Sequence, residues 1–140
     1  MRSVAWEWLS EAMPWGLAAG LCAACLNGAY FVFCQRLLKI EPPALVNLVS
    51  VAAASLGSNL AGALVYRWLR ELTPRPDPVF RFGCVGLTVM TLGGTLAETL
   101  PGGMAAPEGF TLLTLPMHLA AGLACAAIVP SMAKRRPTNR

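Results

Sequence analysis

A single histidine is the side chain with the clearest potential for chemistry in this 140-residue sequence. His118 lies inside a long apolar run and follows Pro116 closely. Proline has no N–H to donate to the carbonyl four residues earlier, here that of Leu112, so a kink is expected beside His118. An ionisable side chain inside an apolar run is a candidate functional group. One histidine cannot supply both axial ligands of a bis-histidine haem, but it can supply the single axial ligand of a chlorophyll-type magnesium.

Three further polar residues are predicted to share a membrane leaflet with His118. At about 1.5 Å of helix rise per residue, His118 lies roughly 12 Å and Asn27 roughly 16 Å from one membrane border. Asn47 lies nearer that border and Glu98 lies at its edge. A cluster of these four suits a proton or small-solute site. The alternative is a neutral His118 that hydrogen-bonds to Asn27, Thr114 or a free carbonyl and holds helices together.

The five cysteines include one CxxC pair, Cys22 and Cys25, whose spacing suits thiol redox chemistry. The pair is predicted to lie in dry lipid without a nearby base, where a thiol is unreactive. Cys34, Cys84 and Cys125 are scattered through the sequence and do not form a zinc-binding pattern. We therefore expect all five to act as small packing residues.

Apart from the CxxC pair, motifs of enzymes and of nucleic-acid-binding proteins do not occur in the sequence. It contains no phosphate-binding glycine loop and no Ser-His-Asp set. Its net charge of +4 comes from basic residues at the ends of apolar runs, which is typical of membrane-flanking charge. We therefore expect neither catalysis nor nucleic-acid binding, and we expect contacts with membrane lipids.

Four long apolar runs determine the predicted architecture. Only 13% of the residues are charged, against about 25% in soluble domains. A span of about 20 apolar residues crosses the hydrocarbon core of a bilayer. We predict an all-α polytopic membrane protein, a four-transmembrane-helix bundle forming one domain over residues 1–140, with spans at about 14–36, 43–67, 78–100 and 109–132.

The sequence predicts where the first span begins and where the third span begins and ends. Pro14 is expected to begin the first span, after a short interfacial helix over residues 4–9. Asp77 and Pro78 are expected to be the N-cap and first residue of the third span. That span must extend to about Leu100, because the stretch between Arg81 and Glu98 is too short to cross a bilayer.

The distribution of basic residues predicts the orientation. With four spans, nine basic residues fall on the side of the two termini and the middle loop, and two fall on the other side. The positive-inside rule then places both termini in the cytoplasm, in the inner membrane of a bacterium. The tryptophans fall on the same side, at the depth of an interfacial aromatic belt: Trp6, Trp8, Trp15 and Trp68.

Small residues recur at four-residue spacing along three of the predicted spans. In lipid such rows allow close backbone approach, either within the bundle or to another subunit. The predicted packing or interface positions are Gly16, Gly20, Ala24, Gly28, Ala54, Ser58, Gly62 and Gly122.

Two stretches resemble a known family. Residues 64–80, LVYRWLRELTPRPDPVF, join two spans by a basic proline-containing link, and residues 117–121, MHLAA, lead through an apolar run to Pro130. Together they resemble a family of small four-helix bacterial membrane proteins catalogued as domain of unknown function 6069. The resemblance covers residues 15 to about 132 and implies the four-span fold, but no activity.

Two hypotheses for function follow. The first is a non-catalytic integral membrane subunit or scaffold that joins other membrane subunits and contacts lipid or a pigment bound at His118. The second is a small transporter or proton-handling protein that uses His118, Asn27 and Glu98.

Overall fold

The computed structural model describes residues 4–96 and 105–135, and the described chain is helical. It contains four helices, joined in antiparallel order: α1 (Val4–Arg36), α2 (Leu48–Leu72), α3 (Pro76–Thr95) and α4 (Phe110–Arg135). The all-helical prediction with four helices is confirmed.

Three of the four helices are long and apolar enough to cross a membrane: α1, α2 and α4. Among the described residues α3 is not one of them. Its 20 residues include Asp77, Arg81 and four glycines, which lower its apolar character. Three of the predicted spans are therefore supported by length and composition.

The helices form a bundle in which α4 lies between α1 and α3. Helix α1 packs against α2 and α4, whereas α3 packs mainly against α4. Within the described ranges no Cα atom of α1 lies within 8 Å of one in α3. One apolar core around Trp15, Tyr66 and Val129 lies at the end where α2 leads into α3, and a second around Phe31 and Leu113 lies toward the other end.

The first helix runs without interruption through Pro14, so the separate interfacial helix predicted before that residue is wrong. Proline inside a helix removes one hydrogen bond and usually kinks or breaks it. Here Ala12 and Trp15, on either side of Pro14, are fully buried in the core. The burial of this turn offsets the cost of the missing bond.

The second helix begins at Leu48 because Asn47 caps it. The Asn47 side chain accepts hydrogen bonds from the backbone N–H groups of Val49 and Ser50, and the Ser50 hydroxyl accepts one from the Asn47 N–H. This capping box fixes the helix start. The predicted start near residue 43 is wrong, and so is the assignment of Asn47 to a polar cluster. At its other end α2 continues to Leu72, beyond the predicted end at residue 67.

The third helix begins at Pro76, with Arg75 at the N-cap position. The predicted cap at Asp77 and Pro78 is therefore wrong by two residues. Asp77 lies in the first turn instead, where the partial positive charge of the helix N-terminus favours a carboxylate. The predicted end of this span near residue 100 lies outside the described residues.

Charged side chains join the helices at one end of the bundle, which we call the basic end. Glu11 on α1 accepts from Arg67 Nε at 2.6 Å and from Arg70 Nη1 at 3.0 Å on α2. Asp77 on α3 pairs with Lys134 Nζ on α4 at 2.5 Å. All four helices therefore take part in ion pairs at this end.

Trp15 lies near the basic end but does not belong to an interfacial belt. Its side chain is fully buried, edge-on to Tyr66 at 6.1 Å between ring centroids, and Arg70 lies over its ring. Trp6 and Trp68 are exposed at the same end, as an aromatic belt requires. The interfacial prediction is therefore wrong for Trp15, which is a core residue.

Candidate functional site

A crevice of about 910 Å³ lies between α2 and α3, and α4 forms its floor. The two helices meet near the basic end, where the Tyr66 and Phe80 rings are 5.0 Å apart and the Tyr66 hydroxyl donates to Asp77 at 2.5 Å. Farther from that end the space between them is open. Most of the lining is apolar, but it also includes polar residues: Asn27, Ser50, Ser55, Ser58, Asn59, Thr88, Thr91, Thr114 and His118.

His118 lines the crevice in a defined tautomer. Its Nδ1 lies 2.9 Å from the carbonyl oxygen of Thr114, one turn earlier in α4. A carbonyl can only accept, so Nδ1 carries the proton, and in the neutral ring Nε2 is left as an acceptor. Nε2 has no hydrogen-bond partner among the described residues. Because the Thr114 bond lies within one helix, it does not join helices.

Asn59 presents a second acceptor, which the sequence analysis missed. Its side chain is 1% exposed, and its Nδ2 donates to the Ser55 carbonyl at 2.8 Å. This bond fixes the orientation of the amide, since an amide oxygen cannot donate to a carbonyl. The Asn59 Oδ1 is buried and has no partner in the part of the chain that the structure describes. An amide in the middle of an apolar run was the available signal.

Asn27 joins three helices. Its Nδ2 donates to the Ser55 hydroxyl at 3.0 Å and to the Met117 carbonyl at 3.2 Å. Both donor positions of the amide are therefore used in packing α1 against α2 and α4. The structure places Asn27 and His118 on the same crevice, as predicted, whereas Glu98 lies outside the described residues.

Two of the predicted small residues bring α1 close to α2. A Cβ added to Gly16 would lie 2.8 Å from the Leu60 Cα, and one added to Gly20 would lie 2.9 Å from the Leu56 Cα. Real Cβ atoms do not approach backbone so closely. Only glycine therefore allows this spacing between the two helices.

Two more of the predicted small residues contact α3 or α4 near the crevice. A Cβ on Gly62 would collide with the Cys125 thiol, and one on Gly122 would collide with the Thr88 hydroxyl. Both glycines line the crevice, where they allow α4 to lie close to α2 and to α3.

The remaining predicted positions make looser contacts. A Cβ on Gly28 would lie 3.8 Å from a Leu48 methyl group, which is ordinary van der Waals distance. Ala24 is half-buried in α1. Ala54 and Ser58 are exposed and form part of the α2 wall of the crevice.

Four of the five cysteines form two groups that their spacing does not show, and Cys34 is buried in the second apolar core. Cys22 and Cys25 are exposed on α1, away from the crevice, so the prediction that all five cysteines are packing residues is wrong for these two. Cys84 and Cys125 are neighbours on α3 and α4, and both line it. The described residues contain no group of three or more side chains that could hold a metal ion.

Asp77 belongs to the ion pairs of the basic end and also lies where the crevice closes. Burial would raise the pKa of the Asp77 carboxyl, but hydrogen bonds from Lys134 and Tyr66 and the positive charges of Lys134 and Arg81 outweigh it, so the pKa lies below its ordinary value. Asp77 therefore stays ionised and holds α2, α3 and α4 together where the crevice closes.

Chemically, the crevice offers hydrogen-bond acceptors in an apolar setting. Within the described ranges the acceptors are not accompanied by a nucleophile–base pair or a metal-binding group. No protein-family model, curated protein or solved structure matches the chain. Function must therefore be inferred from the crevice and from the outer faces of the helices.

Proposed function

We propose that the protein is a non-catalytic integral membrane subunit or scaffold that binds another membrane subunit through the outer face of α3. The observation that carries this proposal is a set of open glycines on that helix. A Cβ added to any of them meets no atom within 4 Å. We call Gly86, Gly93 and Gly94 the outer glycine face.

The positions of these glycines support a helix-binding role. Gly86 and Gly93 are seven residues apart, close to two helical turns, so they lie on one side of α3. Neither they nor Gly94 lines the crevice. A glycine within a helix costs roughly 0.5–1 kcal/mol relative to alanine. At Gly16 and Gly20 the close contact with α2 offsets this cost, and on α3 a partner helix would offset it in the same way.

The test is purification from native membranes in a mild detergent. We expect the wild-type chain to elute with a second integral membrane protein, and Gly86→Leu or Gly93→Leu to lose it. The matched control is Gly57→Leu on α2, since Gly57 also has nothing within 4 Å and lies off the crevice. Repeated recovery of a lone monomer contradicts the proposal. Equal loss of the partner with Gly57→Leu contradicts the assignment to α3.

We further infer a multi-pass protein of a bacterial inner membrane, with α3 as a fourth span and both termini in the cytoplasm. Support comes from the charges: Arg67, Arg70, Arg81 and Lys134 lie at the basic end, whereas the opposite connection holds Arg36 and Lys39. A reporter enzyme that is active only in the cytoplasm should work when fused to either terminus. Activity of a periplasmic reporter at either position would contradict this orientation.

The other hypotheses stay predictions. The contacts of Asn27 are used in helix packing, so they do not favour a transporter or proton-handling role with His118 and Glu98. A liposome flux unchanged by His118→Ala would dispose of that role. A chlorophyll-type pigment bound at His118 and the resemblance to the small four-helix family likewise stay predictions.

A further inference from the structure

We propose that the crevice between α2 and α3 binds a membrane-soluble phenol or alcohol, whose hydroxyl donates a hydrogen bond to Asn59 Oδ1 or His118 Nε2. This site goes beyond the proposed subunit role and uses a different surface from the outer glycine face.

The ligand is expected to carry a hydrogen-bond donor, because two side chains of the crevice offer acceptors that are oriented by similar hydrogen bonds. Asn59 and His118 each donate one proton to the carbonyl four residues earlier in their own helix, at 2.8 Å and 2.9 Å. Each bond leaves an acceptor atom on the same side chain. The Asn59 oxygen is fully buried, and a buried acceptor without a partner is unfavourable by about 1–3 kcal/mol, whereas His118 is only half-buried. A ligand that carries a donor removes this cost, whereas one with carbonyls alone does not.

The two acceptors lie at similar depth. The Asn27 amide bonds to both Ser55 and Met117, which places these residues of α2 and α4 at one level. Asn59 is one turn from Ser55, about 6 Å along the axis, and His118 is the next residue after Met117. Both acceptors therefore lie within roughly one helical turn of each other along the bundle.

Their depth favours a small molecule over a lipid headgroup as the donor. His118 is eight residues into α4, about 12 Å from the helix start at 1.5 Å per residue. A headgroup would have to leave the interface to reach it. A free phenol or alcohol carries one neutral hydroxyl, and moving that group to this depth costs much less than moving a charged headgroup.

The rest of the crevice suits an apolar body. Its lining is mainly hydrocarbon and includes Leu87, Phe110 and Ala121. Its volume of about 910 Å³ lies within the roughly 300–1,000 Å³ of small-molecule sites. The space between α2 and α3 opens sideways, so a ligand dissolved in the bilayer enters without crossing water.

The experiment compares 4-decylphenol with 4-decylanisole, which has the same apolar body but no donor. The protein is reconstituted in phosphatidylcholine nanodiscs, because this lipid has no donor of its own, and the bound fraction is measured by native mass spectrometry. We expect the phenol to bind about 3- to 10-fold more tightly, the contribution of one hydrogen bond. Equal binding of the two compounds overturns the proposal.

Variants locate the site. Asn59→Leu and His118→Phe are expected to reduce the preference for the phenol, and the double variant to abolish it. Ser131→Ala is the matched control, because its hydroxyl bonds the Ala127 carbonyl one turn earlier in α4, outside the crevice. If Asn59→Leu does not fold, as judged by size-exclusion chromatography, His118→Phe carries the test. An unchanged preference in folded His118→Phe and Asn59→Leu overturns the proposal.

A final comparison tests whether the hydrogen-bond donor belongs to a free small molecule or to a lipid headgroup. Phosphatidylethanolamine, whose ammonium group donates, replaces half of the phosphatidylcholine. We expect the affinity for 4-decylphenol to be unchanged. Displacement of the phenol by this lipid would overturn the assignment to a free small molecule, since a headgroup would then reach the acceptors.

Discussion

The hydroxyl of Tyr30 on α1 donates to the carbonyl of Leu112 on α4 at 2.8 Å. This carbonyl lacks its usual helical donor, because residue 116 is proline. In lipid a carbonyl without a donor is costly, and a side chain from a neighbouring helix can satisfy it. Tyr30 therefore compensates for Pro116 and joins α1 to α4 at the same point.

Removing the Tyr30 hydroxyl should destabilise the bundle only while Pro116 is present. We expect Tyr30→Phe to lower the free energy of unfolding by about 0.6 kcal/mol, and at most about 1.7 kcal/mol, as for other interhelical hydrogen bonds in membranes. In a Pro116→Ala background the alanine N–H supplies the Leu112 carbonyl, so the same change should cost less. A double-mutant cycle measured by unfolding in mixed micelles gives both values. Equal effects in the two backgrounds contradict the compensation.

The sequence predicts this site in part. The unpaired Leu112 carbonyl follows from Pro116, but its donor is 82 residues away in the chain, and no local pattern indicates it. Apolar runs predict the helices because the bilayer demands them, whereas the ends depend on local caps. For example, the Asn47 cap makes α2 begin at Leu48, five residues after the predicted start at residue 43.

The crevice, too, could be predicted from the sequence only in part. Depth along the helices was enough to predict that Asn27 and His118 share one region. Rotation about each helix axis was not predictable, and it decides that the Asn27 amide bonds to two other helices while His118 bonds only within its own helix among the described residues. Asn59 was missed because only its unpaired oxygen makes it notable, and this depends on the tertiary structure.

Glu11 is expected to contribute more to the free energy of unfolding than Glu71, the other acid that pairs with Arg67. It accepts from both Arg67 and Arg70, and only 23% of its side chain is exposed. Glu11→Gln removes this charge and leaves two arginines close together, so we expect a loss of about 1 kcal/mol in unfolding free energy at low salt. Glu71→Gln is the control, since Glu71 is 45% exposed and bonds Arg67 alone, within α2. Equal losses from the two changes would contradict the ranking.

The contribution of Asp77 should depend on pH. Its pKa in the folded protein is below the ordinary 3.8, so ionised Asp77 stabilises the fold above that pH. As pH falls from 3.8 through the folded pKa, the carboxylate is protonated and this stabilisation is lost. The difference in melting temperature between wild type and Asp77→Asn should therefore be largest near neutral pH and shrink in acid. A difference that stays constant down to acid pH would show that the charge of Asp77 does not contribute.

Glycine-to-alanine changes should separate packed from open positions. At Gly16 a methyl group would lie 2.8 Å from the Leu60 Cα, which is backbone and cannot rotate away. We therefore expect Gly16→Ala to push α1 and α2 apart and to lower the unfolding free energy by about 1–3 kcal/mol, the usual cost of overpacking. At Gly57 nothing lies within 4 Å, so Gly57→Ala should instead stabilise the helix by about 0.4–1 kcal/mol. Unfolding of both variants in the same mixed micelles measures the difference. Stabilisation by both changes would mean that helix propensity, rather than the contact with Leu60, sets the stability at these positions.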